Sequence, residues 1–170
     1  MLLNIFTAFH VLLSLIGIVA GLVVLYGLLT AKALPAWTAW FLTTTVATSV
    51  TGFFFPYHGF KPSYVFGILS LLALALAIAA RYRHELIGGW RKTYVISAVV
   101  ALYLNVFVLF AQSFMKVPAL KALAPTGSEP PFLVTQLVVM VLFVVLGFRA
   151  VAKFRDAGSQ LESKRASARA

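Results

Sequence analysis

Few side chains in this sequence can carry acid–base or metal chemistry. They are His10, His58 and His84 and the acids Glu85, Glu129, Asp156 and Glu162, with no cysteine among 170 residues. Lack of cysteine removes disulfides, thiolate nucleophiles, Cys-ligated zinc and iron–sulfur clusters. Two imidazoles facing each other at one depth hold a b-type haem. His10 and His58 are the one candidate pair for haem or another metal, because His84 lies beside Arg83 and Glu85 on the opposite side of the apolar runs. His58 also sits next to Pro56 and Gly59 in an expected turn, a poor setting for a rigid ligand. Interfacial or interhelical hydrogen bonding is therefore the preferred role for both.

Catalytic patterns are missing. There is no G-x-S-x-G, no H-E-x-x-H and no phosphate-binding glycine loop. All four acids fall outside the apolar runs, which leaves only His10 both titratable and embedded. A proton-coupled transporter is poorly supported, and the expectation is a protein without enzymatic activity.

Neutral polar residues are more informative, since hydrocarbon offers them no partner. His10, Ser14, Gly17 and Gly21 recur at helical spacing and form one stripe, with Gly17 and Gly21 as a GxxxG pair. Close helix packing is the preferred reading of that stripe. A hydroxyl-rich run follows at Thr43, Thr44, Thr45, Thr48, Ser49 and Thr51, of which Thr44, Thr48 and Thr51 share a face. Packing is again preferred there over a permeation path. Ser97, Ala101, Asn105 and Gln112 share a further face, and Gln136 lies near the start of the last apolar run. Amides at such depths commonly tie helices together and can also hold a ligand's carbonyl or hydroxyl.

The elements that position these residues follow from composition. Hydrophobic residues make up 62% of the chain and charged residues 11%, too few to cover a soluble domain. A bilayer core needs about 20 apolar residues in a helix. Five stretches qualify, near 5–31, 36–55, 63–80, 93–115 and 132–151. The first has no preceding Lys or Arg and is too long for a secretory signal core, so it reads as a retained helix. The expected fold is all-α integral membrane, a bundle of five transmembrane helices over residues 1–155, followed by a basic tail at 156–170. No internal repeat is visible.

Charge gives the orientation. Lys32, the group Arg81, Arg83, Arg91 and Lys92, and six basic residues from Arg149 onward share one side, eleven in all, against Lys61, Lys116 and Lys121 on the other. The positive-inside rule places the N-terminus outside and the C-terminus in the cytoplasm. The net charge of +10 has the same origin and does not call for nucleic acid as a partner. The partner expected first is the lipid bilayer, then another membrane protein or a second copy. Trp37, Trp40 and Trp90 near one interface and Tyr57, Phe60 and Tyr64 near the other make an ordinary aromatic belt. In this orientation His10, His58, Gln112 and Gln136 converge on the outer half.

The segments Thr51–Pro56, Tyr103–Val108 with Gln112, Lys116–Leu120 and Ser128–Phe132 resemble a recurring pattern in small bacterial membrane proteins without an assigned activity. That resemblance covers most of the chain and implies a bacterial inner membrane. It also implies that Asn105, Gln112 and Glu129-Pro130-Pro131 matter to the architecture. Five-span tryptophan-rich sensory proteins are similar in span count alone, and their Trp pattern is missing here.

Three functions are thus expected in descending order. The first is non-enzymatic binding of a small apolar or amphipathic ligand, such as a quinone, lipid or haem, by His10, His58, Asn105, Gln112 and Gln136 in an outer-half pocket. The second is an accessory or scaffolding subunit docking through the Gly17/Gly21 face or the hydroxyl face of the second helix. The third is a small oligomeric transporter or channel.

Overall fold

The computed structural model describes residues 2–55 and 62–167, with side chains placed at 3–55, 64–154 and 167. Every regular element among them is helical: α1 (Leu2–Leu29), α2 (Pro35–Gly52), α3 (Pro62–Ile78), α4 (Gly89–Lys116), the short α5 (Pro118–Leu123) and α6 (Pro130–Ser167). Helix α3 runs on into a π-helical turn at Ala79–Arg83. Prolines open α2, α3, α5 and α6, where their missing N–H costs no helical bond. Positive φ at Glu85, Leu86 and Gly88 breaks the chain between α3 and α4.

Four helices are long and apolar enough to cross a membrane: Leu3–Leu29, Tyr64–Arg83, Gly89–Lys116 and Pro130–Phe154. Helix α2 is shorter, 18 residues, and the hydroxyls from Thr43 to Thr51 dilute its apolar character. It lies within the bundle all the same, packed between α1 and α3. Helix α6 carries its helical backbone past the apolar run into the basic segment.

Helix α4 is the hub, touching α1, α3 and α6. Its apolar window is 56% buried against 17% for α6, so α4 forms the interior and α6 the rim. Ala77, Ala80, Ala101 and Ala150, all fully buried, let these helices approach closely. Phe41, Leu74, Tyr94 and Leu102 fill the space between them.

Packing is uneven along the bundle axis. At the end that holds Lys32 and Arg81–Lys92, every one of these helices buries side chains. Toward the opposite end, marked by His10, α1 buries nothing before Gly17, α4 nothing between Phe107 and Ser113, and α3 nothing from Tyr64 to Leu69. Phe114 and Ala124 are the buried exceptions there among the described residues. Burial is thus deepest at the arginine-rich end, while at the His10 end the inward-facing side chains are mostly half-buried and still touch across the helices, His10 against Thr51, Ser14 against Asn105 and Phe66 against Phe107.

Candidate functional site

At the His10 end α1, α2 and α4 bring polar side chains together. Outermost, His10 Nδ1 lies 2.8 Å from Thr51 Oγ1. That hydroxyl is also 2.8 Å from the Ala47 carbonyl of its own helix. A threonine hydroxyl has one proton, and the carbonyl can only accept it. Thr51 therefore accepts from His10, which fixes the Nδ1–H tautomer and leaves Nε2 with a free lone pair. The Phe55 ring meets His10 edge-on at 5.1 Å, and Phe6 packs on Phe55 at 5.0 Å.

One turn deeper, Ser14 Oγ donates to Asn105 Oδ1 at 2.8 Å. This bond turns the Asn105 amide nitrogen inward, where it has no partner. The next turn of α1 is Gly17. A Cβ there would lie 2.9 Å from Thr45 Oγ1, 3.1 Å from Thr44 Oγ1 and 3.3 Å from Asn105 Nδ2, so three polar side chains converge on the bare backbone. Gly21 continues the stripe against Phe41 and Leu102. The glycine face is thus covered by α2 and α4 of the same chain, which leaves it no room to dock a partner helix in this conformation.

The hydroxyls divide into two groups. Thr7, Thr30, Thr44, Thr51, Ser97, Ser113 and Thr135 each bond the carbonyl one turn back, the usual solution inside a membrane helix. Thr45 and Thr48 do not, and both hydroxyl oxygens are buried without a partner. Thr45 is 1% exposed, Thr48 8% and Asn105 7%, so none is satisfied by solvent. Asn105 Nδ2 and Thr45 Oγ1 both flank Gly17, and Thr48 lies about one turn along α2 from Thr45.

Searches with this chain find no matching family model, no matching curated protein and no matching solved structure. The chemistry of this end must be read from its own residues.

Gln136 approaches from α6, its Nε2 donating to the Phe107 carbonyl at 3.2 Å while Oε1 stays buried and unpaired. The Phe107 carbonyl points along α4 toward Lys116, so Gln136 is held at a level between Asn105 and Gln112. Gln112 is half-buried nearer the end of α4 and has no hydrogen-bond partner among the described residues. His58 lies outside the described residues. Among those described, no three His, Asp or Glu side chains gather as a metal site. Ser14 gives its proton to Asn105 and His10 turns to Thr51, so the nearby serine and histidine do not form a nucleophile–base pair.

Thr45 was legible as part of the hydroxyl run but not as the unpaired member. The missed signal is that Thr38, Phe41, Thr45 and Thr48 share one α2 face, the face turned into the bundle. At the other end of that face, Thr38 Oγ1 reaches the buried Tyr94 hydroxyl at 3.4 Å, with the Arg81 guanidinium 5.5 Å from the Tyr94 ring. The buried Phe41 and Leu102 meet at Gly21, between this cluster and the polar side chains at Gly17.

The connection into α6 is held by Glu129. Its carboxylate accepts the Thr126 N–H at 2.9 Å, the Thr126 hydroxyl at 2.9 Å and the Ser128 N–H at 3.1 Å. The Thr126 backbone bond leads in holding this carboxyl below its ordinary value of 4.5. A depressed folded-state value means that the bonded turn is favoured above the ordinary carboxylate range and lost as pH falls through the lowered value. Amide-exchange protection at Thr126 and Ser128, taken relative to the intrinsic rate at each pH, should therefore fall as Glu129 is protonated, and Glu129→Ala, which keeps no acceptor, should lack it at every pH.

Proposed function

We propose that this chain is a non-enzymatic integral membrane protein that binds a small amphipathic ligand in the half of the bundle that holds His10. The observation that carries the reading is a set of unmet hydrogen bonds. Three buried polar side chains, Asn105, Thr45 and Thr48, hold atoms without a partner in that part of the bundle. An unpaired buried polar atom costs about 1–3 kcal/mol, and a bound ligand that completes the set recovers that cost. His10, Gln112 and Gln136 supply further polar contacts in that half, and Phe6 and Phe55 supply apolar ones.

In this reading α2 is a fifth span, tolerated in the membrane because Thr38, Thr44, Thr45 and Thr48 are buried in the bundle, leaving Thr43 as its exposed hydroxyl. The eleven-to-three partition of basic residues then places the N-terminus and the His10 end outside and the C-terminus in the cytoplasm of a bacterial inner membrane. Reporter fusions after Lys61 and after Arg91 should report outside and inside respectively. The same side for both would remove α2 or α3 as a span. The exposed apolar face of α6, with Leu133, Leu137, Val141 and Phe148, is lipid-facing.

Extraction in mild detergent followed by mass spectrometry of bound small molecules tests the reading. An amphiphile should co-purify at near-stoichiometric amount with the wild type and not with Asn105→Leu. Equal recovery from both would defeat it. A haem is the second reading, favoured by one observation: an imidazole whose Nδ1–H is held by an oxygen presents Nε2 as metal-ligating histidines do. A Soret band in the purified protein that disappears in His10→Phe would decide for it.

A further inference from the structure

We infer that the cleft between α4 and α6 at the arginine-rich end holds the phosphate head of an anionic phospholipid. The inference is separate from the ligand reading above, because this cleft lies at the opposite end of the bundle. It is lined by Gly88, Arg91, Lys92, Val95 and Val151 and measures about 40 Å³. One ordered water needs about 10–15 Å³, so roughly three groups of that size fit. That is room for the oxygens of a phosphate.

The wall of the cleft changes character with depth. Gly88 and Lys92 are exposed, Arg91 is half-buried, and Val95, one turn further along α4, is buried. Val151 closes the α6 side. Four residues deeper on α6 the seam is filled, since a Cβ at Gly147 would lie in contact with Val99 Cγ1 at 3.4 Å. The cleft is therefore shallow, with cations at its rim and apolar side chains beneath them. Phe148, three residues before Val151 and exposed, continues the apolar surface toward lipid. An occupant with a charged head and acyl chains meets both parts. A soluble anion leaves the apolar wall unused, and a wholly apolar occupant leaves the cations unused.

The surroundings fix the sign of the head. Arg91 and Lys92 place two cations on the lining. The cleft also sits at the start of α4, where Gly88 offers no side chain, no side chain caps the helix and the first turn holds no acid. The positive end of the helix dipole is thus left for an anion. No Asp or Glu occurs from Leu86 to Ser128, so α4 brings no carboxylate of its own to compete. The location fits a lipid. Helix α4 is long and apolar enough to cross a membrane, which puts its first turn, with Trp90, at headgroup level. Basic clefts between spanning helices at that level take anionic lipid heads.

The test uses the full chain in a neutral detergent and counts bound molecules by native mass spectrometry. The probes are phosphatidylglycerol, phosphatidylcholine with the same acyl chains, and glycerol 3-phosphate as a soluble phosphate. The first phosphatidylglycerol should bind several-fold more tightly than the first phosphatidylcholine, and equimolar glycerol 3-phosphate should not displace it. Lys92→Gln should weaken that first binding between about threefold and tenfold, the effect of losing one cation beside an anionic head. Lys121→Gln, at the other end of the bundle, should change nothing. Gly89→Asp separates binding from folding. A Cβ at Gly89 meets nothing within 4 Å, and an acid in the first turn of a helix is favourable. This variant should unfold no earlier than wild type and yet lose the preference for phosphatidylglycerol. Equal binding of the two lipids, or undiminished phosphatidylglycerol binding in both Lys92→Gln and Gly89→Asp, would overturn the site. Displacement by equimolar glycerol 3-phosphate would mark a site for soluble phosphate and overturn the lipid assignment.

Discussion

Gly21→Leu should destabilise the protein by about 3 kcal/mol or more, the upper range of what overpacking costs. A Cβ alone at this position would lie 2.5 Å from Leu102 Cδ1 and 2.9 Å from two atoms of the Phe41 ring. Both neighbours are 1% exposed and fill the seam where α1, α2 and α4 meet, so neither has space to turn into. A leucine would force α1 off both helices. Gly17→Ala is the informative contrast. Its nearest neighbours are hydroxyl and amide tips, and Thr45 can rotate to bond its own helix, so the loss should stay within about 1–2 kcal/mol. Thermal or denaturant unfolding in one detergent measures both. Equal losses in the two variants would mean that the glycine stripe does not set the helix spacing.

Thr45→Val should do the reverse and stabilise the unliganded protein. Among the described residues Thr45 is the most completely buried hydroxyl without a partner, and leaving such a bond unmade costs about 1–3 kcal/mol. Valine keeps nearly the same shape, is equally restricted in a helix, and has nothing to satisfy. For a chain of this size each kcal/mol moves the melting midpoint by about 2–4 °C. The expected result is a midpoint several degrees above wild type together with weaker ligand binding. Thr44→Val is the control: Thr44 already bonds the Trp40 carbonyl, so its removal should give no gain. A loss of stability in Thr45→Val would show that its hydroxyl has a structural partner, and the set of unmet hydrogen bonds would lose a member.

Much of the architecture can be read from residue order, because membrane helices are set by length, hydropathy and proline placement. Pro35, Pro62 and Pro130 each begin a helix as their positions imply. Helix α2 marks the limit of that logic. Length and hydropathy support four crossing helices, and α2 enters only because its polar face is covered by neighbours, a tertiary fact. The π-helical turn at Ala79–Arg83 carries no comparable pattern.

The candidate site was legible as a region more than as a constellation. Periodicity placed Ser14 on one stripe and Asn105 on another, and the direct bond between them joins the two. It could not separate Thr44 from Thr45. Both are threonines in one turn, yet one bonds backward to its own helix and the other points at Gly17, a rotamer choice made by the adjoining helix. Gln136 shows the same limit, since its depth depends on how α6 is set against α4. His58, the other half of the histidine pair, lies outside the described residues.

The most direct test of a ligand site at the His10 end is photolabelling in native membranes. A quinone analogue with a small photoreactive group would be irradiated and the labelled peptides mapped. A ligand held there predicts labels concentrated between Phe6 and Ser14 on α1, between Thr48 and Phe55 at the end of α2, and between Asn105 and Gln112 on α4, with competition by unlabelled quinone. Labels spread along the exposed face of α6, from Leu133 to Phe148, and unaffected by competition, would contradict it.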